Sequence, residues 1–274
     1  MGGKAVRVPG PGNAVSLRAA LAPVAAGGSW ALARGDCLRV LERLPAESLD
    51  LIATDPAYSG MNDHMKFGHG RIVGRRSDPA NEKWMREFTD SPETFLEFLR
   101  LCHRALRPDR HVYVMFDSFS LLSLGHLVRQ VFDVKGLIAW DKVRLGMGHY
   151  FRRQHELIVF AAKGKRKLAH RAFPDVWRIK RVVRGAYPTQ KPRELFEIMI
   201  AASTSPGETV CDPFAGAGSA GAAALALGRE FVGCDVDPRA IELASSRLEA
   251  VSRGEPDPLQ SASLVADGAP RFWK

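Results

Sequence analysis

Hydrophobic positions follow two patterns in turn along the first half of the chain: apolar runs, and apolar residues at helical spacing. The apolar runs predict strands, and the uninterrupted ones are typical of strands buried on both faces of a parallel sheet. The predicted strands are 30–34, 49–54, 111–116, 137–142 and 155–164. The helical spacings predict helices over 37–45, 91–106 and 121–132, the second with Ser91 as N-cap and Pro92 in its first turn.

The second half continues this alternation and ends in polar sequence. A helix is predicted to begin near Pro192, and residues 208–237 predict a strand, a glycine turn, a helix and a strand. Residues 60–87 lack periodicity and predict a long polar loop, a length that in a compact domain indicates function or disorder. We expect one domain over 30–251, with a flexible N-terminal tail over 1–29 and a C-terminal tail over 252–274.

Positive charge is concentrated in one segment. The whole chain has a net charge of +9, whereas residues 142–193 hold fifteen Lys and Arg and two acids, a net charge of +13. A chain this basic often binds nucleic acid, and a basic surface without such a partner is the alternative. Phosphate contacts from such a segment give affinity without sequence information. The predicted DNA contacts are Arg152, Arg153, Lys165, Arg166, Lys167, Arg178, Lys180 and Arg181.

Cysteine usage and hydropathy argue against several classes of protein. The cysteines are far apart and none forms CxxC, which argues against a disulfide framework or a zinc site and fits a reducing cytoplasm. Three irregularly spaced histidines give no reason to expect a metal. No apolar run is long enough to cross a bilayer, and residues 1–29 lack the apolar core of a signal peptide. The cysteines are Cys37, Cys102, Cys211 and Cys234, and the three histidines are His149, His155 and His170.

The sequence TDPAY places Asp55, Pro56 and Tyr58 just past a predicted strand, where open α/β sheets bind their ligands. The Asp55 carboxylate and the Pro56 carbonyl are two acceptors for the two N–H bonds of an exocyclic amino group. Accepting those bonds would localise the nitrogen lone pair for attack on carbon. The Tyr58 ring offers a flat face for a base taken out of the stack. The alternative is that Asp55 caps a turn and Tyr58 packs in the core.

The sequence CDPFAGAGS, residues 211–219, predicts a strand that ends at Asp212 and a turn containing Gly216 and Gly218. Glycines there let a ligand approach the backbone and let the next helix pack closely on the sheet. Asp235 ends the following strand, 19 residues after Gly216, an offset at which a carboxylate reaches ribose hydroxyls. The turn lacks the pattern of dinucleotide enzymes and suits a nucleoside without phosphates. Taken alone, it is equally an ordinary strand-to-helix turn.

Together, four motifs resemble the β class of S-adenosylmethionine-dependent DNA methyltransferases that modify amino groups at adenine N6 or cytosine N4. TDPAY is similar to their catalytic motif, usually Asp-Pro-Pro-Tyr, and DPFAGAGS to their cofactor motif. PTQKP at 188–192 and the stretch from Gly35 to Tyr58 resemble two further elements of the family. The order, with the catalytic motif first, is that of the circularly permuted β class. The resemblance covers about residues 30–250.

The resemblance implies a fold and a set of roles. The fold is a doubly wound, mostly parallel seven-stranded α/β sheet with helices on both faces. Asp55 and Pro56 would hold the target amino group, and Tyr58 would stack on the base. Asp36 would lie near the cofactor adenine, Asp235 would bind the ribose, and Thr189 and Lys191 would close the methionine end. The implied cofactor contacts are Asp36, Cys37, Asp55, Thr189, Lys191, Asp212, Phe214, Ala215, Gly216, Gly218 and Asp235.

The main hypothesis is therefore a site-specific methyltransferase that acts on double-stranded DNA, with adenine N6 as the acceptor and direct displacement at the methyl carbon. Acidic catalytic motifs accompany adenine more often, but both bases occur in the class, and Ala57 stands where proline is usual. Cytosine N4, an RNA substrate, and a non-catalytic nucleic-acid-binding protein with a decayed cofactor site are the alternatives. Carbon-5 methylation is disfavoured because no cysteine follows a proline.

The resemblance also bears on organisation and partners. In this family the stretch before PTQKP carries target recognition, so we expect a small basic target-recognition insertion at about 163–187. Many β-class relatives form dimers, which makes a homodimer one expectation. A cognate restriction endonuclease is another, and neither follows from the residues themselves.

Overall fold

The computed structural model describes residues 17–58, 91–146, 150–169, 173–183, 185–187 and 189–260. Its strands are β1 (Ala25–Ala26), β2 (Trp30–Arg34), β3 (Leu49–Thr54), β4 (Leu106–Phe116), β5 (Asp133–Asp141), β6 (His155–Lys163), β7 (Val176–Arg178), β8 (Thr209–Asp212) and β9 (Glu230–Asp235). Its helices are α1 (Cys37–Arg43), α2 (Pro92–Ala105), α3 (Ser118–Val131), α4 (Arg193–Ser203), α5 (Ser219–Ala226) and α6 (Pro238–Ser252). The predicted loop over 60–87 lies outside the described residues.

The strands form one sheet in the order β1-β2-β9-β8-β3-β4-β6-β5-β7. Seven strands run in one direction, and β1 and β6 run opposite to them. The expected number of seven strands is therefore too low, because two short strands, β1 with two residues and β7 with three, are the outermost strands on the two sides of the sheet. β3 and β8 are adjacent and parallel, so the two sequence motifs that follow them meet at one edge of the sheet.

Helices cover both faces of the sheet, which confirms the predicted doubly wound α/β class. Successive residues of β3 face opposite layers: Ile52 packs with side chains of α1, α2 and α3, and Leu51 with side chains of α4, α5 and α6. Every residue of β3 is buried, as its uninterrupted apolar run predicts. Helix α2 begins as predicted, with Ser91 Oγ accepting the Thr94 N–H at 3.2 Å.

The N-terminal boundary differs from the prediction. Residues 17–21 are helical, and Leu17 and Leu21 are buried in the same layer as α1 and α2. Arg18 donates to the carbonyl of Gly27 at 2.9 Å, and β1 pairs with β2. Residues 17–29 therefore belong to the domain, because the alanine-rich stretch carries two leucines at helical spacing that reach the core.

The C-terminal boundary also differs. Asp257, placed in a tail by its polar surroundings, has a fully buried side chain and makes a bidentate ion pair with buried Arg247, at 2.8 and 2.9 Å. Gln190 Nε2 donates to the carbonyl of Leu259 at 2.9 Å. The chain is thus packed on the domain as far as residue 260, through polar contacts that hydropathy does not reveal.

Part of the predicted basic insertion, residues 176–179, belongs to the sheet and its core. Trp177 and Ile179 are buried in the core, and β7 pairs with β5 within the sheet.

Among the described ranges, no helix combines the length and the apolar character needed to cross a membrane.

Candidate active site

The ends of β3 and β8 are joined by a side-chain hydrogen bond. Thr54 Oγ1 donates to Asp212 Oδ1 at 2.8 Å, and the Phe214 N–H donates to the same oxygen at 3.0 Å. Burial, reinforced by the nearby Asp55 and Asp235 carboxylates, raises the pKa of Asp212 to about 7, against these two hydrogen bonds. Asp212 therefore serves as the link between the two motifs.

A cavity of about 420 Å³ opens at this junction, a size typical of small-molecule sites. Its wall combines the TDPAY motif, the glycine turn, the end of β9 and the PTQKP segment. The lining residues include Asp36, Cys37, Asp55, Ala57, Tyr187, Thr189, Gln190, Lys191, Phe196, Asp212, Phe214, Ala215, Gly216, Ser219, Asp235 and Asp237. All predicted cofactor contacts except Gly218 are among them.

The glycine turn is held to β9 by Asp235. Its Oδ2 accepts the Gly216 N–H and its Oδ1 accepts the Asp237 N–H, both at 2.9 Å. Burial raises the pKa of Asp235, while these hydrogen bonds oppose the rise. Each carboxylate oxygen keeps a second acceptor position for a hydroxyl of a ligand. Gly216 has a φ of +49°, in the region that favours glycine.

Gly218 is not among the residues that line the cavity, unlike its neighbours Ala217 and Ser219, so its contact with a cofactor stays a prediction. It precedes α5 with a φ of +73°, and a Cβ there would lie 3.1 Å from the Cβ of Ala244 in α6. The residue is glycine because two helices approach closely at that point. In the sequence, a glycine that lets a ligand approach cannot be told from a glycine that lets two helices pack closely.

Asp36 and Thr189 also line the cavity, and local backbone structure places each of them there. Asp36 is the N-cap of α1, and its Oδ1 accepts the N–H groups of Leu38 and Arg39. Thr189 has a φ of +62°, which turns the PTQKP segment at the cavity.

The described cysteines are all buried thiols, and burial raises the pKa of each well above its ordinary value. A thiolate nucleophile is therefore disfavoured. Within the described ranges, no group of three or more His, Cys, Asp or Glu side chains is arranged to hold a metal.

Asp55 forms an ion pair with Lys191 in the wall of the cavity. The Lys191 ammonium contacts Asp55 Oδ2. The Lys191 side chain is 12% exposed and the Asp55 side chain is 26% exposed. Burial raises the pKa of Asp55, while Lys191 opposes the rise. The sequence did not predict this pair, because the two residues lie 136 positions apart.

Several residues of the site were missed by sequence reasoning. Glu156, in β6, lies 3.7 Å from the Lys191 ammonium. Tyr187 donates to Asp237 at 3.1 Å. Ser219 Oγ donates to the carbonyl of Lys191 at 2.7 Å. Each is a single polar residue in an otherwise ordinary segment, so only the tertiary structure identifies it.

Tyr58 is directed into the core, which contradicts its predicted contact with a base. The side chain is 2% exposed, stacks on Phe116 with ring centroids 5.2 Å apart, and donates to the carbonyl of Met115 at 3.1 Å. Pro56 is buried, and its carbonyl accepts the Tyr58 N–H at 3.1 Å. Pro56 and Tyr58 are not part of the cavity wall, whereas Asp55 and Ala57 are. An aromatic pocket formed with Phe95 explains why the ring turns inward.

We expect Tyr58→Ala to lower the free energy of unfolding by about 3–5 kcal/mol, since it removes a buried aromatic ring. Tyr58→Phe keeps the ring and loses one hydrogen bond, so its loss should be only about 1 kcal/mol. Urea denaturation measures both values. A Tyr58→Phe variant as unstable as Tyr58→Ala would contradict the observed packing.

The predicted DNA contacts fall at two opposite edges of the sheet. Because β6 is antiparallel to β4, its first residues lie where β4 ends, and Lys163, its last residue, pairs with Arg110. Arg152 and Arg153 precede β6 and therefore lie at the edge that carries Asp55. β7 is parallel to β5, and its last residue, Arg178, is in register with Asp141 at the end of β5. Arg178, Lys180 and Arg181 therefore lie at that same edge.

Lys165, Arg166 and Lys167 follow β6 and lie at the far edge, away from the cavity. Arg166 makes an ion pair with Glu208, just before β8, at 2.9 Å. These three residues are therefore separated from the end of the strands that carries Asp55, and their DNA contact stays a prediction. The net charge of the segment did not reveal this, since a strand runs through it and carries its two ends to opposite edges.

Comparisons with known proteins add an independent finding. The family model described as DNA methylase matches residues 49–246, which is well over half of the chain. Type II methyltransferase M2.DpnII of Streptococcus pneumoniae is 30% identical over 241 residues, covering 80% of this chain and 89% of that protein. DNA adenine methyltransferase YhdJ of Escherichia coli is 28% identical over 257 residues, covering 80% and 82%.

Solved structures support the fold. PvuII DNA methyltransferase, described as cytosine-N4-specific, superimposes with a TM-score of 0.63 at 16% identity, covering 84% of this chain and 94% of that one. Two further structures of this fold, at 19% and 22% identity, contain S-adenosylmethionine.

Proposed function

This chain belongs to the DNA methylases that modify exocyclic amino groups, and on that premise we propose adenine N6 as its acceptor. It is an S-adenosylmethionine-dependent enzyme and its substrate is DNA. The observation that carries the assignment to an amino group is the position of Asp55, a carboxylate in the wall of the cavity that the glycine turn also lines.

The residues of the cavity fit S-adenosylmethionine. Asp235 keeps free acceptor positions for ribose hydroxyls, and Asp36 keeps its Oδ2 beyond the helix cap. Phe214 and Phe196 supply apolar wall for a flat base. Gly216 has no side chain, so the backbone of the turn forms part of the cavity wall. We assign the cofactor to these residues.

Asp55 is assigned the acceptor role in catalysis. The lone pair of an aromatic amino group is delocalised into the ring, which makes the nitrogen a poor nucleophile. Asp55 Oδ1 accepts no hydrogen bond from the described residues, so it is open to an N–H of the base. Bound S-adenosylmethionine supplies an electrophilic methyl group. The nitrogen would bond to that carbon as the carbon–sulfur bond breaks and its electron pair stays on sulfur. The nitrogen must then release a proton, and Asp55 is the carboxylate placed to receive it.

Adenine is favoured over cytosine by the acidic catalytic motif and by the similarity to YhdJ, which is named an adenine enzyme. The likeness to the cytosine-N4-specific PvuII enzyme favours the alternative, at lower identity. Digesting methylated DNA to nucleosides and identifying the modified one by mass spectrometry separates the two. N6-methyldeoxyadenosine is the expected product, and N4-methyldeoxycytidine would replace the assignment.

DNA is proposed to bind at the edge that carries Asp55. Arg152 and Arg153 lie there beside two strongly exposed aromatic residues, Tyr150 and Phe151, the latter 100% exposed. Arginines suit phosphates, and exposed rings suit the apolar faces of bases. The combination is an unusual surface for a protein without a partner and fits a duplex from which one base is extruded.

We expect the double variant Arg152→Ala with Arg153→Ala to weaken DNA binding by about 10-fold or more at low salt. The slope of log affinity against log salt should fall by about 1–2, because up to two phosphate contacts are lost. The matched control is Lys165→Ala with Lys167→Ala, which removes the same charge at the far edge and should leave both quantities unchanged. Equal effects of the two variants would contradict the placement of DNA.

Three finer properties belong to the same proposal. M2.DpnII is named a Type II methyltransferase, which supports a cognate restriction endonuclease as a companion of this chain. We propose a homodimer only because many β-class relatives form dimers. A DNA substrate and reduced cysteines favour the cytoplasm.

A further inference from the structure

Glu156 has no part in the mechanism above, yet it lies in the same row of charges as Asp55. It is the second residue of β6, whose first residues lie at the edge where β3 ends. Its Oε2 is 3.7 Å from the Lys191 ammonium, and its Oε1 is 3.1 Å from the Lys142 ammonium. The four side chains alternate in sign, in the order Asp55, Lys191, Glu156, Lys142.

We propose that Glu156 is a positioning residue, which holds Lys191 so that its ammonium occupies only Oδ2 of Asp55 and leaves Oδ1 for the amino group of the base. The inference rests on the proposed function, because it assigns Asp55 the acceptor role. Without Glu156, the ammonium would be free to bridge both oxygens of Asp55 and to compete with the base.

The charge of the row supports this role. Two carboxylates and two ammonium groups sum to zero, so a largely buried row can stay ionised without a net charge. Removing the Glu156 charge leaves a net positive charge beside Asp55. Asp55 would then accept hydrogen bonds and protons less strongly. Strong acceptance is what the amino group requires of Asp55.

The titration of the row agrees with its geometry. Burial raises the pKa of Asp55, Lys191 lowers it, and Glu156 and Asp117 raise it further. Asp55 in turn adds to the burial that raises the pKa of Asp212 to about 7. Burial opposes ionisation of Glu156, but Lys191 and Lys142 hold its pKa below the ordinary value. Burial likewise opposes the charge of Lys191, and its two acidic partners raise its pKa.

The test is the pH dependence of kcat for Glu156→Gln, measured on DNA with saturating S-adenosylmethionine. We expect kcat to fall about 10-fold or more at neutral pH, with the Kd for the cofactor within about twofold of wild type. Removing an anion beside Asp55 lowers its pKa, so the acid limb of the profile should move to lower pH. Lys191→Met removes a cation and should move the same limb to higher pH.

The matched control is Glu208→Gln, which removes one negative charge from an ion pair with Arg110 and Arg166 at the far edge and should leave the limb in place. If Glu156→Gln does not fold, Lys142→Met keeps Glu156 and removes its second cation, and the limb should move to higher pH. An unmoved acid limb with unchanged kcat in the folded variant would overturn the inference. Wild-type protein that methylates no amino group would instead overturn the proposed function.

Discussion

Asp55→Ala is expected to lower kcat by at least about 100-fold and to leave the Kd for S-adenosylmethionine within about threefold of wild type. The reason is that Asp55 lines the cavity and is the proposed acceptor for the amino N–H, a role worth about 10²–10⁴ in rate. Single-turnover methyl transfer and calorimetric cofactor binding measure the two quantities separately.

The control for Asp55→Ala is Asp133→Ala, which removes a well-exposed carboxylate at the start of β5, on the edge of the sheet away from the cavity. It should transfer methyl groups at the wild-type rate. Asp55→Asn keeps one carbonyl acceptor and should lie between alanine and wild type. If Asp55→Ala transferred methyl groups normally, the acceptor would have to be another residue.

Asp235→Ala is expected to raise the Kd for S-adenosylmethionine by about 10- to 150-fold. A hydrogen bond to a charged group contributes about 1.5–3 kcal/mol, and here the lost carboxylate also holds the Gly216 and Asp237 N–H groups. Isothermal titration in the absence of DNA measures the effect directly. Asp133→Ala again serves as the control and should bind the cofactor as wild type does.

At saturating cofactor, Asp235→Ala should recover most of the wild-type kcat, because Asp55 is unchanged. A kcat that stays as low as that of Asp55→Ala would contradict the division of the cavity into a cofactor end and an acceptor end. Unchanged cofactor affinity would contradict the assignment of Asp235 to the ribose.

The sequence predicted the layered fold and the meeting of its two motifs well, because both depend on local signals. The apolar run over 49–54 identifies a strand buried on both faces, and residues 210–219 combine a strand end with glycines. Two parallel strands that end in ligand-binding turns lead to one edge of a sheet. The cavity between Asp55 and Gly216 is the confirmation of that inference.

The direction in which individual side chains point could not be predicted from the sequence. Tyr58 follows the catalytic acid, but its orientation is decided by Phe95 and Phe116, which belong to other elements. Gly218 carries the same signal as Gly216, yet its neighbour is Ala244 of a packed helix. In both cases a tertiary contact, rather than local sequence, determines the role.

Charges failed as a guide for a related reason. The segment over 142–193 has a net charge of +13, more than the +9 of the whole chain. However, Arg166 pairs with Glu208 and Lys191 with Asp55, in parts of the chain that are distant in sequence. Asp257 was placed in a tail, although it neutralises a buried arginine. A count along the chain cannot separate charges that meet a partner in the fold from charges that remain for DNA.

The most direct test of the account is the distance from Asp55 to the acceptor nitrogen in a crystal structure with duplex DNA and a non-transferable cofactor analogue. We predict an extruded adenine whose N6 lies within about 3.2 Å of Asp55 Oδ1 while the analogue fills the Asp235 end of the cavity. An N6 atom more than about 4 Å from every Asp55 oxygen, or an analogue bound away from Asp235, would contradict it.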